Sequence, residues 1–233
     1  MPAERLLLLE TSGRVGQVGL AEGERMISVG QLDPARRHAR DLTTEIQRQL
    51  ATQGWGIRDV TAVAVSRGPG SFTGLRVGIA AANALAYATG CRVVGVETFA
   101  AIAAQAHEPL NALEIIADAH QGKLFRQSFV RSHDECAWAP VSPISVVLLE
   151  DWLASRNADV LLSGPGIRVL RDRLGVDVRL SDESSWEPNL KGVLAIARRA
   201  LERRPDEEPR SIEPLYVRAS AAEENRTGAS LTR

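Results

Sequence analysis

The sequence predicts an α/β protein of two lobes, each built on the same order of strands and helices. The order of predicted elements in the first half returns in the second half. A Gly-Pro-Gly tripeptide follows a predicted strand in both halves, at residues 68–70 and 164–166. A plan that repeats within one chain indicates internal duplication. The 233 residues suffice for one large domain or two small lobes.

The first half begins with three strand candidates and continues with alternating helices and strands. The strand candidates are residues 6–10, 15–21 and 26–32. An amphipathic helix follows, whose apolar stripe recurs at helical spacing: Ala39, Leu42, Ile46 and Leu50. The remaining elements are a buried strand, a long helix of small residues and a second apolar strand, at residues 60–66, 75–89 and 92–96. This half reads βββαβαβα.

The second half repeats this order more loosely. Its strand candidates are residues 113–118, 124–130, 143–147, 160–163 and 176–180, and its helix candidates are residues 149–156, 167–174 and 191–204. Antiparallel strands extended by parallel strands, with helices on the faces, describe a duplicated ribonuclease H-like fold. Such pairs of lobes hold nucleotides between them. We expect an N-terminal lobe (1–106), a smaller second lobe (107–186), a C-terminal helix and return segment near the lobe junction (187–218), and a flexible tail (219–233).

The loop in residues 66–78 is the most informative segment of the chain. Gly68 and Gly70 permit close backbone approach, and Ser71 and Thr73 are natural helix N-caps. Together with Gly74, they form a candidate phosphate- or nucleotide-proximal loop. The segment lacks the Lys-Ser/Thr of a P-loop and is one residue too long for GxGxxG. A tight strand-to-helix turn that packs the helix on the sheet is therefore the favoured interpretation.

The helix predicted at residues 75–89 has almost no polar face, so it must be covered on nearly every side. One interpretation is a central core helix. The other is a helix with one face in the core and the opposite face against a partner protein, because small residues let another helix approach closely. Six residues of this helix and of the preceding one are the candidate partner interface: Leu42, Ile46, Leu50, Ala81, Ala84 and Leu85.

Composition and spacing exclude several classes of function. The 28 basic and 29 acidic side chains give a net charge of −1, which argues against a strongly basic nucleic-acid face. The two cysteines imply neither a disulfide framework nor a zinc site. The four consecutive leucines near the start are too few for a signal peptide or a membrane span, so we expect a soluble cytoplasmic protein with no membrane contact.

The sequence offers no assembled catalytic or metal-binding set. No two of the four histidines are four residues apart, so no helical metal face forms. Ser71 does not lie in a GxSxG elbow, which makes a protease the weakest class. His38 is better explained as part of a solvated helix start than as a ligand. Glu10 and Asp118 either face each other across a cleft as a metal or phosphate site, or simply cap turns.

Five segments come in the order seen in the TsaB family, also called YeaZ: ETSG, HARDLTTEI, SRGPGSFTGLRVGI, GVETFAAIA and EPLYVR. The chain resembles this family over nearly its whole length, and least between about residues 131 and 210. The resemblance implies an actin-like, Hsp70-like duplicated fold. It also implies a non-catalytic partner of TsaD that acts with TsaE to place a threonylcarbamoyl group on the tRNA adenosine beside the anticodon.

The resemblance further implies which molecules bind this chain. It implies a heterodimer with TsaD, a homodimer in isolation, and contact with tRNA only through the complex. No cofactor is expected to bind tightly, although ATP or ADP could lie at the interface with TsaD and TsaE. The alternative is an autonomous ATP-dependent phosphotransferase of the same fold, which would turn over ATP without partners.

The chain departs from the family pattern at a few positions. Glu10 stands where the family usually has aspartate and is more similar to TsaD. The metal-binding histidine pair of TsaD corresponds to Thr98 and Ile102, so the resemblance implies that the catalytic metal site is missing. His120 and Lys123 replace an arginine and an acid of a family segment, which puts a nucleotide contact there in doubt.

Overall fold

The computed structural model describes residues 4–33, 38–131, 137–203 and 211–217, and it contains two five-stranded sheets. The strands of the first sheet are β1 (Arg5–Glu10), β2 (Gln17–Glu22), β3 (Arg25–Gln31), β4 (Ala62–Gly68) and β5 (Arg92–Glu97). Their order is β3-β2-β1-β4-β5. The first three strands are antiparallel, whereas β4 pairs parallel with both β1 and β5. This is the ribonuclease H-like strand order.

Helices cover both faces of the first sheet, which explains why β1 is an unbroken leucine run. Its four leucines are fully buried, and alternate ones point to opposite faces. Leu7 and Leu9 pack with helices α1 (His38–Thr52) and α2 (Phe72–Thr89). Leu6 and Leu8 pack with α6 (Leu190–Arg203). A strand buried on both faces needs apolar residues at every position rather than at every second one.

The second sheet repeats the plan in a shorter form. Its strands are β6 (Ala112–Asp118), β7 (Lys123–Arg131), β8 (Trp138–Pro140), β9 (Ser145–Leu148) and β10 (Leu161–Ser163). Antiparallel β6 and β7 form its centre, with β10 parallel to β6. Its helices are α3 (Thr98–Ala103), α4 (Leu149–Ser155) and α5 (Gly166–Leu170). From α3, Phe99 and Ile102 enter the core of this sheet. The predicted duplication is confirmed.

The second half differs from the sequence prediction in two strands. The strand predicted at residues 143–147 corresponds to β9, whereas β8, at residues 138–140, was not predicted; both strands pair with β7. The strand predicted at residues 176–180 makes only an isolated bridge, between Leu180 and Leu162. Val176 is 99% exposed, so the start of that segment does not reach the sheet. The predicted helix at 167–174 is shortened to α5 and a 3-10 turn.

Residues 211–217, here named the return segment, run back along the first sheet and α2. Asn83 of α2 donates to the carbonyl of Ile212 and accepts from its amide, both at 3.0 Å. The Leu215 amide donates to the Arg67 carbonyl at 2.7 Å. The Tyr216 hydroxyl accepts from Arg76 Nε at 2.9 Å. These bonds join α2 to chain more than 100 residues later.

Two predictions from the sequence concern parts of the chain that the structure does not describe. The tail predicted at 219–233 and the His38 side chain lie outside the described residues. Across the described ranges, no helix is both long and apolar enough to cross a bilayer.

Candidate functional site

A cleft of about 750 Å³ lies between the two sheets. It is lined by the turn after β1, the start of α2, the turn between β6 and β7, the start of α5 and the return segment. Most of its wall is apolar, with the rings of Phe72, Phe99 and Phe125 among the lining side chains. The lining residues with ionisable carboxylate, imidazole or guanidinium side chains are Arg14, Asp118, His120, Arg168 and Glu187. Clefts at the carboxyl ends of strands are the usual ligand sites of α/β folds.

Glu10 holds the turn after β1 from inside the protein. Its carboxylate is fully buried. Oε1 accepts from the Ser12 amide and hydroxyl, both at 2.6 Å, and from the Gly13 amide at 3.2 Å. Burial raises the pKa of Glu10, and the hydrogen bonds from Ser12 and Gly13 oppose that shift. Glu10 therefore shapes the cleft wall without lining the cleft.

The raised pKa of Glu10 gives a pH-dependent stability. Between pH 4.5 and its folded pKa, the native state binds more protons than the unfolded state, so this residue's contribution to the free energy of unfolding falls as pH rises. Glu10→Gln keeps an acceptor oxygen and removes the charge. We expect the wild type to lose stability relative to Glu10→Gln as pH rises above 4.5, measured by urea denaturation at a series of pH values.

Glu45→Gln is the control of opposite sign. The Arg48 hydrogen bond lowers the pKa of Glu45, so the contribution of that charge is present above pH 4.5 and is lost as pH falls. Parallel pH curves for wild type and Glu10→Gln would refute the account of Glu10.

The Gly-Pro-Gly loop packs α2 against the turn after β1. Ser71 caps α2 by accepting from the Gly74 amide at 3.2 Å, and its own amide donates to the Ser12 carbonyl at 2.9 Å. A Cβ on Gly74 would collide with the Thr11 carbonyl oxygen, and one on Gly70 would lie 2.6 Å from the Ser12 carbonyl oxygen. Close packing therefore accounts for both glycines.

The five candidate phosphate-loop residues do not all reach the cleft. Gly70 and Ser71 line it, whereas Gly68, Thr73 and Gly74 are not among its lining residues. Gly68 has a φ of +118°, a conformation that favours glycine. A Cβ at this position would lie 3.2 Å from the Leu215 carbonyl oxygen. The loop as a phosphate site stays a prediction.

Glu10 and Asp118 do not meet across the cleft. Asp118 lines it but caps its own turn, because Oδ1 accepts from the His120 amide at 2.7 Å and Oδ2 lies 3.3 Å from His120 Nδ1. Glu10 is enclosed behind the opposite wall. Of the two sequence interpretations, the structure favours turn capping. The described part of the chain contains no group of three or more histidine, cysteine, aspartate or glutamate residues suited to a metal ion.

Thr98 and Ile102 have structural roles at the junction of the two sheets. Thr98 Oγ1 donates to Ser12 Oγ at 3.1 Å and lines the cleft. Ile102 is fully buried in the core of the second sheet. Thr98 therefore links α3 to the turn after β1, and Ile102 is part of the hydrophobic core.

Glu187 is a cleft residue that the sequence did not reveal. It lies between a 3-10 turn (Glu183–Ser185) and α6. Its Oε1 is 3.7 Å from Arg168 Nε, and its Oε2 is 3.4 Å from where a Cβ on Gly13 would stand. Burial raises the pKa of Glu187, while Arg168 and Arg14 oppose that shift. A single glutamate ahead of a helix carries no spacing signal, so only the fold brings it to the cleft.

Comparisons with known proteins agree with the resemblance seen in the sequence. The family model described as "TsaD: tRNA N6-adenosine threonylcarbamoyltransferase" matches residues 33–136. The "tRNA threonylcarbamoyladenosine biosynthesis protein TsaB" of Escherichia coli (strain K12) is 27% identical over 227 residues, covering 94% of this chain and 96% of that protein. The protein of the same name from Haemophilus influenzae is 34% identical over 128 residues, 54% of each chain.

Solved structures agree over most of the chain. A crystal structure of an uncharacterized protein from Pseudomonas aeruginosa, described as similar to peptidase YEAZ, matches with a TM-score of 0.78 at 25% identity. It covers 92% of this chain and 100% of the other. Over nearly its whole length the chain is similar to proteins of the TsaB (YeaZ) family. YeaZ from Pseudomonas aeruginosa, at 24% identity and a TM-score of 0.75, has the same fold over 91% of this chain and 99% of its own.

Part of the predicted partner interface lies in the core. Leu42, Ile46 and Leu50 lie on the inner face of α1 and are at most 6% exposed, because they pack in the core with side chains of the first sheet and of α2. The prediction that they contact a partner is therefore corrected. This apolar stripe faces the first sheet, where it removes the apolar side chains of the strands from water. Ala81 and Leu85 are half-buried against the same core. Ala84 is exposed, and from the middle of α2 onward its outer face presents Ala80, Ala84, Tyr87 and Ala88.

Proposed function

We propose that this chain is a non-catalytic partner and activator of TsaD, acting with TsaE to place a threonylcarbamoyl group on the tRNA adenosine next to the anticodon. Similarity to the TsaB protein of Escherichia coli supports a role in threonylcarbamoyladenosine biosynthesis. The match of residues 33–136 to the TsaD model supports kinship between this part of the chain and the transferase itself. A related protein is a natural partner, because similar surfaces can pair in a pseudo-symmetric way.

The non-catalytic assignment rests on the environment of Thr98 and Ile102. By resemblance, these positions correspond to the histidine pair that binds the metal of TsaD. Here the Thr98 hydroxyl is used in a hydrogen bond to Ser12, and Ile102 is enclosed in the core of the second sheet. Neither side chain supplies an imidazole nitrogen or another strong metal ligand. These two side chains contribute to hydrogen bonding and core packing instead of binding a metal ion.

The outer face of α2 is the proposed docking surface for TsaD. It presents alanines and Tyr87, which is 95% exposed, and Ala84 is the small residue near its middle. An exposed apolar helix face beside polar surface is typical of a protein interface. In the absence of TsaD, the same face would join two copies of this chain, so homodimer and heterodimer would compete.

The remaining binding partners follow from charge and from the complex. Several exposed arginines are paired with acids, such as Arg168 with Glu183 and Arg173 with Glu150. This pairing and the net charge of −1 support tRNA contact only through the complex. ATP or ADP would bind at the interface with TsaD and TsaE, and the setting would be the cytoplasm.

We expect no threonylcarbamoyl transfer to tRNA from this chain alone, because it lacks the metal ligands. Transfer should appear when TsaD and TsaE are added and should fall sharply when this chain is omitted. The measurement is incorporation of labelled threonine into tRNA, with ATP hydrolysis followed in parallel. Robust metal-dependent ATP turnover by this chain alone would instead support an autonomous phosphotransferase.

A further inference from the structure

Arg76 is the single charged residue of α2, whose other side chains are apolar or uncharged. It is exposed and lies one helical turn after Phe72 and one turn before Ala80, so it belongs to the same stripe as the outer face of α2. Ala84 and Tyr87 continue that stripe toward the end of the helix. The outer face of α2 is therefore uncharged apart from one guanidinium group near its beginning.

Two aromatic rings hold the Arg76 side chain in place. Its Cζ lies 4.0 Å from the centroid of the Phe72 ring and 5.9 Å from that of the Tyr216 ring. Arg76 Nε donates to the Tyr216 hydroxyl at 2.9 Å. The neighbouring Leu215 amide fixes the return segment by donating to the Arg67 carbonyl at 2.7 Å. Phe72, Arg76 and Tyr216 are here named the Arg76 cluster, which joins α2 to the return segment.

The terminal nitrogens of Arg76 have no partner among the residues that the structure describes. No carboxylate in these ranges lies within ion-pair distance of its guanidinium group, whereas the exposed Arg173 is paired with Glu150. Ordering a long side chain costs conformational entropy, which limits what an exposed arginine contributes to binding. In the Arg76 cluster, the rings and the Tyr216 hydroxyl have already ordered the guanidinium group before any partner binds.

We propose that the Arg76 cluster receives a carboxylate, from an aspartate or glutamate side chain, of the protein that docks on the outer face of α2. A planar guanidinium group with free terminal nitrogens binds a carboxylate through two parallel hydrogen bonds. Phe72 and Tyr216 are 44% and 51% exposed, so they would exclude water around this ion pair once a partner covers them. This inference rests on the proposed function, in which TsaD is the docking protein.

A single cation on an uncharged face determines how a partner is oriented. Apolar contacts between two helices tolerate several registers, because small side chains such as Ala80 and Ala84 are alike. A buried cation without an opposite charge is costly, so only the register that brings an acid to Arg76 is favourable. Arg76 therefore supplies specificity, and the alanines supply the close approach.

The position of the Arg76 cluster favours a protein carboxylate over a phosphate group. Arg76 is not among the residues that line the cleft. Phosphate recognition usually combines several cations or backbone amides, whereas α2 carries this one charge. Ala80 and Ala84 follow Arg76 at intervals of one turn, so a protein that lies along α2 reaches the guanidinium group.

The test is titration calorimetry of TsaD with the full chain and with Arg76→Lys, Arg76→Gln and Arg76→Glu, at low and at high ionic strength. We expect Kd to rise at least about tenfold in Arg76→Gln and further in Arg76→Glu, because the partner's carboxylate would then face a negative charge. Arg76→Lys keeps the charge without the planar fork and should lie between wild type and Arg76→Gln. The difference between wild type and Arg76→Gln should shrink as salt is added.

Tyr216→Phe tests how the guanidinium group is positioned. This variant keeps the ring and removes the hydroxyl that accepts from Arg76 Nε. Kd for TsaD should rise about threefold in the wild-type background. It should stay unchanged in an Arg76→Gln background, because the hydroxyl acts only through Arg76. Equal effects of Tyr216→Phe in both backgrounds would contradict this positioning role.

Arg203→Gln is the matched control, since it removes the same charge from an exposed position in the last turn of α6, on the other side of the first sheet. Its Kd should stay within about twofold of wild type. The inference is overturned if folded Arg76→Gln and Arg76→Glu bind TsaD as tightly as wild type, or if their losses do not depend on salt.

Two other outcomes separate this inference from its alternatives. If Arg76→Gln keeps its affinity for TsaD but the complex binds ATP more weakly, the cluster serves a phosphate group and the carboxylate proposal is wrong. If the wild type does not bind TsaD at all, the proposed function is refuted and this inference is refuted with it.

Discussion

Ala84→Arg is expected to abolish most of the proposed association between this chain and TsaD. Ala84 is exposed on the outer face of α2, where a close-packed helix would leave no room for a guanidinium and no acceptor for its charge. The loss should be at least about 2 kcal/mol of binding free energy, or roughly 30-fold in Kd. Titration calorimetry with TsaD measures it, and sedimentation should show the homodimer weakened in parallel.

Two further variants separate an interface effect from a folding effect. Ala200→Arg places the same side chain at an exposed position of α6, on the other side of the first sheet, and should leave Kd unchanged. Ala81→Glu introduces a charge at a half-buried position against the core, so it should lower the free energy of unfolding itself. If Ala84→Arg binds TsaD like wild type while circular dichroism shows an intact fold, the docking surface lies elsewhere.

Gly74→Ala should cost about 3 kcal/mol of folding free energy, as expected when a methyl group is forced into a filled space. The new Cβ would collide with the Thr11 carbonyl oxygen at the turn after β1, which is backbone and cannot rotate away. In an unpacked helix the same change would stabilise by about 1 kcal/mol, so the sign alone distinguishes close packing from helix propensity. Urea denaturation provides the free energy of unfolding.

Gly56→Ala is the matched control for that substitution. Gly56 has a φ of −79°, and a Cβ there would meet nothing closer than Asp59 Oδ2 at 3.5 Å. Its effect should remain below about 1 kcal/mol. Wild-type stability in Gly74→Ala would show that α2 is not held against the turn, and the packing explanation of the loop would fail.

The sequence predicted the first half of the fold more accurately than the second because its strands carry stronger patterns. The run at residues 6–9 is buried on both faces, so every position is apolar and the strand is visible. In the second half, β8 and β10 are three residues each, too short for an alternating pattern to register. Pairing with β7 and β6, and not local propensity, defines those strands.

The candidate site was only partly predictable for a related reason. The motifs ETSG and GPGSFTG were recognisable because each is continuous in sequence, and the structure brings them into contact through Ser12 and Ser71. Glu187 reaches the same turn from more than 170 residues away. The partner prediction selected Leu42, Ile46 and Leu50 because a helical stripe shows that one face is apolar, but not what covers it.

The late position of α6 and the return segment in the chain affects how this protein can mature on the ribosome. Leu6 and Leu8 are covered by α6, at residues 190–203, which is synthesised more than 180 residues after them. Asn83 meets Ile212 only after a further 129 residues have been synthesised. Folding domain by domain during translation is the usual route for chains of this size. Here the first sheet keeps one face uncovered until α6 has left the exit tunnel, and chaperones have that interval in which to bind it.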